Sequence, residues 1–130
     1  MEDCPICARD PTSHSLKKIG MFDEDTVIMY TKPADASRYW DRDGIIVHYD
    51  NVLSKIEKKW MWIFDAEGFS YKHMIEIDVA TSLARLISSK YSDSLQKITI
   101  INPSFLVNIM LTIVTSFLSK KIQSLIVIDG

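Results

Sequence analysis

At 130 residues, the chain has the length of one domain, since domains commonly run ~100–150 residues, and one core is expected. Hydrophobic residues make up 47% and charged ones 25%, the balance of an average globular domain, which argues against disorder. With a formal net charge of −2, a sequence pI of about 5.9 and dispersed Lys and Arg, the chain lacks the clustered basic footprint of nucleic-acid binding, so no nucleic-acid partner is expected.

The start (Met1, Glu2, Asp3, Cys4, Pro5) has neither a basic n-region nor an apolar h-region. A cytoplasmic protein, at most peripheral at membranes, is therefore expected. The first twenty residues are polar and read as a loop-rich extension carrying a C-x-x-C pair, Cys4 and Cys7. These two sit too close for a framework disulfide and are either reduced thiols or metal ligands. With His14 they supply three ligands of a structural zinc site, and Asp10, His48 and His73 are the nearest sources of a fourth. No cofactor is otherwise required.

Thr26, Val27, Ile28, Met29 and Tyr30 are mostly β-branched or aromatic and predict a strand. A polar turn or short helix follows over residues 32–40. Asp41, Arg42, Asp43 and Gly44 read as a turn, and Ile45, Ile46, Val47, His48 and Tyr49 as a second strand, pairing with the first in an antiparallel hairpin. Residues 51–59 carry Val52, Leu53 and Ile56 at helical spacing and predict a short amphipathic helix. Met61, Trp62, Ile63 and Phe64, ending at Asp65, form a continuous apolar run expected as a central strand buried on both faces.

Gly68 ends that strand in a tight turn, and Ser70 is placed to cap a helix with Met74, Ile77, Leu83, Leu86 and Ile87 on its apolar side, running to about Tyr91. Ile98, Thr99, Ile100 and Ile101 predict the next strand. Asn102, Pro103 and Ser104 mark a turn into a helix over residues 105–118. That run is shorter than the ~20 residues a membrane span needs and is interrupted by Asn108, Thr112, Thr115 and Ser116. Lys120 and Lys121 suit its carboxyl end, and Leu125, Ile126, Val127 and Ile128 close the sheet. Strands alternating with helices predict an α/β fold: a mainly parallel, mixed sheet with helices packed on it in two or three layers.

Within this layout, Ile63, Phe64, Asp65, Ala66, Glu67, Gly68, Phe69 and Ser70, the later junction from Lys97 to Phe105, and Phe117 to Lys121 before the last strand resemble the CRAL-TRIO domain of phosphatidylinositol-transfer and retinal- or tocopherol-binding proteins. The resemblance covers residues 43–130. Residues 1–42 are then an N-terminal extension with the C-x-x-C and a strand, in one structural unit overall. The resemblance implies an apolar ligand held between the sheet and a movable gating helix, here residues 105–118. Leu106, Val107, Ile109, Met110, Leu111, Ile113 and Val114 are more than one buried stripe requires, which suits a helix that covers a lipid. The ligand-binding set expected on this basis is Met61, Ile63, Phe69, Met74, Ile100, Asn102, Phe105, Leu106, Ile109, Met110 and Ile113. Thr99, Ser104 and Asn108, with Asn102, are placed to orient a head group.

Family members usually carry a helical segment before the domain, and longer ones continue past the last strand. This chain, ending at Asp129 and Gly130, is closer to the compact subgroup found beside GTPase-activating or macro domains, where protein contacts are a recognised role. The expected function is non-enzymatic binding of a lipid or other small hydrophobic molecule. The alternative is a protein-interaction module, with a homodimer among its forms, using the same apolar surface. Asp65 and Glu67 at a strand end have the types of a general acid and base, but no nucleophile elbow or phosphate-cradling glycine loop accompanies them. Cys4, Pro5, Ile6 and Cys7 with the segment from Phe22 also resemble the opening of histidine-triad nucleotide hydrolases. That activity needs a cluster of alternating histidines, and only His14, His48 and His73 are present.

Overall fold

The computed structural model describes residues 16–36 and 41–129. Five strands among them form one sheet: β1 Lys17–Met21, β2 Thr26–Thr31, β3 Lys59–Asp65, β4 Leu95–Ile101 and β5 Ile126–Asp129. Their order across the sheet is the order along the chain. β1 pairs antiparallel with β2, while β2, β3, β4 and β5 run parallel. The sheet is mixed and mainly parallel, as the alternation of strands and helices predicts.

Parallel neighbours need crossovers, and these carry the helices. α1 Arg42–Leu53 joins β2 to β3. α2 Tyr71–Ile75 and α3 Ile77–Leu86, extended by a π-helical turn over Ile87–Tyr91, join β3 to β4. α4 Phe105–Val114, a 3-10 turn over Thr115–Phe117 and α5 Lys120–Leu125 join β4 to β5. The three crossovers step the same way across the sheet. Because such connections are nearly always right-handed, their helices must share one face. They do: α1 packs on α3, and α4 on both α2 and α3. The described residues therefore form two layers.

Alternation along the strands sorts the residues between the two faces. Met29, Trp60, Trp62, Ile98 and Ile100 are buried beneath the helices. On the other face Ile28, Tyr30, Met61, Ile63, Thr99 and Ile101 remain half-buried. Of the β3 run expected to be buried on both faces, Trp60 and Trp62 are buried beneath the helices while Phe64 there and Met61 and Ile63 on the other face are half-buried.

Residues 41–49 correct the reading as a turn and strand. The Asp41 side chain accepts the Gly44 N–H at 3.2 Å and caps α1. A Cβ at Gly44 would collide with that carboxylate, so this glycine serves a helix start instead of a hairpin turn. The run from Ile45 to Val47 has strand-like β-branching, yet Ile45, Tyr49 and Leu53, spaced four apart, are buried on one helical face with His48 beside them. Tertiary packing of that face overrides local propensity. The helix expected over residues 51–59 is the end of α1, which stops at Leu53, and β3 begins at Lys59. The antiparallel partner of β2 is β1, a strand inside the segment read as loop-rich, and α5 lies where Lys120 and Lys121 were assigned to a helix end. Among the described residues no helix is long and apolar enough to cross a membrane.

Candidate functional site

Between the sheet and the helical layer lies a cavity of about 90 Å³. Trp62 and Phe64 of β3, Ile98 and Ile100 of β4 and Ile126 of β5 form its floor, and α1, α3, α4 and α5 form the roof. Ala80 and Ala84 on α3 help to leave the room, since short side chains there cannot reach the sheet. Among the described residues the lining is apolar except at one corner. There the Trp62 indole N–H donates to Thr31 Oγ1 at 3.0 Å, and that oxygen lies 2.8 Å from the Tyr49 hydroxyl.

Of the ligand-binding set expected from sequence, Ile100 and Met110 line this cavity. Met61 and Ile63 sit on the opposite face of the sheet, where the period-2 alternation of β3 puts them, and Trp62 and Phe64 take the cavity positions. Phe69 is buried and stacks on His73, ring centroids 5.2 Å apart. Met74 and Leu106 pack half-buried against the core. Ile109 is half-buried, Ile113 is exposed, and Phe105 at the start of α4 is 75% exposed. Leu111, Val114, Leu118 and Ile122 complete the helical wall. Leu111 and Val114 belong to the apolar excess of residues 105–114 but not to the expected ligand-binding set, and the wall made by α5 follows from a helix the sequence did not announce.

The two strand-to-helix junctions rim the carboxyl end of the sheet, where open α/β sheets usually bind ligands. Their polar residues are engaged with one another. Asp65 accepts hydrogen bonds from the Tyr30 hydroxyl, from Asn102 Nδ2 at 2.9 Å and from the Glu67 backbone N–H at 3.0 Å. Burial, the largest influence on Asp65, acts to raise its pKa. The bonds from Asn102, Tyr30 and Glu67, with the charge of Lys32, outweigh it and hold the carboxyl below the usual range. The same bond, with burial and the Asp65 charge, pushes the Tyr30 phenol up to about 12. Asn102 also occupies the left-handed region at φ 53°, which Asn tolerates better than most side chains. Its amide is therefore committed to the turn and to Asp65.

Gly68 is required twice over, by φ +81° and by a position at which a Cβ would stand 2.7 Å from Ala34 Cβ. Ser70 and His73 form a capping box, with the Ser70 N–H donating to His73 Nδ1 at 3.0 Å. Ser104 caps α4 by accepting the Val107 N–H at 3.3 Å. Asp65, a three-bonded anchor, and Glu67, ion-paired with Lys32 at 3.1 Å, both have structural partners.

Residues 45–130 match the sequence model of the CRAL/TRIO domain. The chain belongs to the CRAL/TRIO family. CRAL/TRIO domains are lipid-binding carriers and generally non-enzymatic, and that coarse role is what membership supports. The solved structure titled "Crystal structure of Sfh5" is similar to this CRAL/TRIO domain with a TM-score of 0.72 at 10% identity, covering 91% of this chain and 47% of Sfh5. The chain thus spans about half the length of Sfh5, and at that identity the likeness concerns the fold. No curated protein sequence matches the chain.

Cys4, Cys7 and His14, the zinc ligands expected from sequence, lie outside the described residues, as does Asp10. Among the described residues no group of three His, Cys, Asp or Glu is placed to hold a metal ion. His48 Nε2 lies 3.2 Å from the Leu16 carbonyl oxygen. His73 bonds to Ser70 as above.

Proposed function

We propose that this CRAL/TRIO domain takes a lipid or other small hydrophobic molecule between its sheet and α4, with α4 and the turn after it acting as the gate. The observation that carries the reading is the apolar cavity under α4, walled by Met110, Leu111, Val114 and Leu118. Its volume, about 90 Å³, falls short of the ~300–1,000 Å³ of pockets that enclose a whole drug-sized ligand. Loading therefore requires the segment from α4 to α5 to swing outward. Phe105 and Ile113, exposed on α4, suit a helix whose outer side meets an apolar phase during that exchange. A cytoplasmic location with transient contact at membranes, and a structural zinc held by Cys4, Cys7 and His14, belong to the same proposal.

Native mass spectrometry after incubation with vesicles of mixed lipids tests the reading. A stoichiometric lipid adduct is expected, and recovery of apoprotein alone would overturn it. The second reading, docking to a protein or a second copy, is favoured by Tyr71 and Ile75 on α2, which are 72% and 77% exposed, where α2 packs beside α4. Light scattering separates the two, because a lipid-loaded monomer and a lipid-free dimer differ twofold in mass.

A further inference from the structure

Resting on the lipid-binding reading, we propose that His73 is an acid-sensitive latch on the gate: taking up a proton, it unfastens α2 at the mouth of the cavity and frees α4 to swing outward. The imidazole sits where three pieces of the chain meet. It lies on α2, 2% exposed, with its ring stacked on Phe69 of the β3–α2 junction. Nδ1 accepts the Ser70 N–H at 3.0 Å, and the Ser70 hydroxyl lies 3.3 Å from the same nitrogen. The ring also bonds the backbone of Pro33. Proline has no N–H, so its carbonyl must accept, and with Nδ1 taken the donor is Nε2–H.

Only the neutral tautomer with its proton on Nε2 meets both demands. An imidazolium keeps the bond to Pro33 but turns Nδ1 into a donor facing the Ser70 N–H, and the capping box that starts α2 is lost. Even if Nδ1–H turns to the Ser70 hydroxyl, the Ser70 N–H is left without its acceptor. Among the described residues, α4 brings no titratable group to this region. The 3-10 turn over Pro33–Asp35 and the β3–α2 junction bring Lys32, Asp35 and Glu67, which pair with one another, Lys32 Nζ lying 3.1 Å from Glu67 and 3.9 Å from Asp35. Asp78 at the start of α3 pairs with Arg42 at 3.8 Å. On α2 itself Lys72 stands beside His73, and Glu76 ends the helix. Burial, and after it the Lys72 charge, holds the folded pKa of His73 below the ordinary 6.5. An opened His73 therefore binds its proton more tightly than a closed one, and acid favours the open form.

The latch bears on the gate from two sides. Pro33, its partner, lines the cavity, and α2 packs on α4, whose Met110, Leu111 and Val114 wall it. The junction also presses close to the Pro33 turn at Gly68, where a Cβ would stand 2.7 Å from Ala34 Cβ. Loosening α2 removes support beside the helix that must move.

Native-state hydrogen exchange on the full chain, read by mass spectrometry from about pH 7.5 to about pH 5 in dilute urea and corrected for intrinsic rates, tests the latch. Amides of α2 and α4 are expected to exchange through a local opening that urea hardly accelerates, whereas those of β3 and β4 exchange through urea-sensitive global unfolding. Below about pH 6.5 the local opening should grow by up to about tenfold per pH unit, the limit for one proton. His73→Gln, which keeps an acceptor for Ser70 and has no proton to take up, should leave it flat. Exchange of α2 and α4 only through the unfolding they share with the strands would overturn the proposal from the unaltered chain alone. So would an acid response that persists in a folded His73→Gln protein. Uptake from phosphatidylcholine vesicles, followed by native mass spectrometry, should be faster at about pH 5.5 than at about pH 7.5 in the unaltered chain and equal in the variant. Equally fast uptake by the unaltered chain at both pH values would overturn the latch and leave the lipid-binding reading standing. Acid-driven opening with no lipid retained at either pH would do the reverse.

Discussion

The two faces of the sheet are built on different physics. Beneath the helices, Trp60, Trp62, Ile98 and Ile100 are held by apolar packing, with the Trp60 and Trp62 rings 5.8 Å apart. The opposite face leaves Ile28, Met61, Ile63 and Ile101 half-buried, and at its carboxyl end it is tied by a polar knot, Tyr30 to Asp65 to Asn102. Burial of apolar area is non-directional and scales with the area removed from water, whereas a buried carboxylate stabilises only while its partners stay in place. In the proposed loading, the helical face would rearrange around the ligand while the knot keeps the strand ends at fixed spacing.

The largest effect that would break this comparison is expected from Trp60→Ala, which empties a site 1% exposed and should cost about 3–5 kcal/mol in denaturant unfolding. Met61→Ala, one residue along on the other face, should cost only about 1 kcal/mol. Similar losses for the two would mean that both faces are covered in solution. Next comes Asp65→Ala, which strands the Tyr30 hydroxyl and the Asn102 amide and should cost roughly 2–3 kcal/mol at neutral pH. Because the folded pKa of Asp65 lies below its ordinary 3.8, its contribution is complete above about pH 4 and fades as pH falls through the folded value. The variant should therefore approach the unaltered protein in stability as the pH is lowered toward 2. A constant gap would show that the charge is not what the knot uses.

Sequence pattern disclosed one of these faces better than the other. The run from Met61 to Phe64 marked β3 as central, and Gly68, Ser70, Asn102 and Ser104 marked both junctions, because turn and cap chemistry is local and needs particular residue types. The CRAL/TRIO resemblance rested on the same residues. Which side of β3 faced the helices was not legible, since Met61 and Ile63 are as apolar as Trp62 and Phe64, and the choice is made by crossover direction. The corner of Thr31, Tyr49 and Trp62 was invisible for a related reason: it joins residues 18 and 31 positions apart, and Tyr49 was assigned to a strand. Ile45, Ile46 and Val47 read as strand because β-branching is a weak signal that a capped, packed helix overrides.

The smallest expected effect belongs to the helical layer. His73 is buried, stacks on Phe69, accepts the Ser70 N–H at Nδ1 and bonds the Pro33 backbone. Burial, aided by the charge of Lys72, lowers its pKa below 6.5. The unfolded chain therefore takes up this proton first as pH falls. Stability from His73 is complete above about pH 6.5 and declines below it until the folded group also titrates. His73→Gln keeps an acceptor for the capping box, because Gln serves at that position as Glu does, but it carries no titrating group. Unfolding midpoints measured from pH 8 to pH 5 should fall more steeply for the unaltered protein than for the variant, with the curves converging in slope above about pH 7. Parallel curves would mean that His73 binds its proton equally in both states.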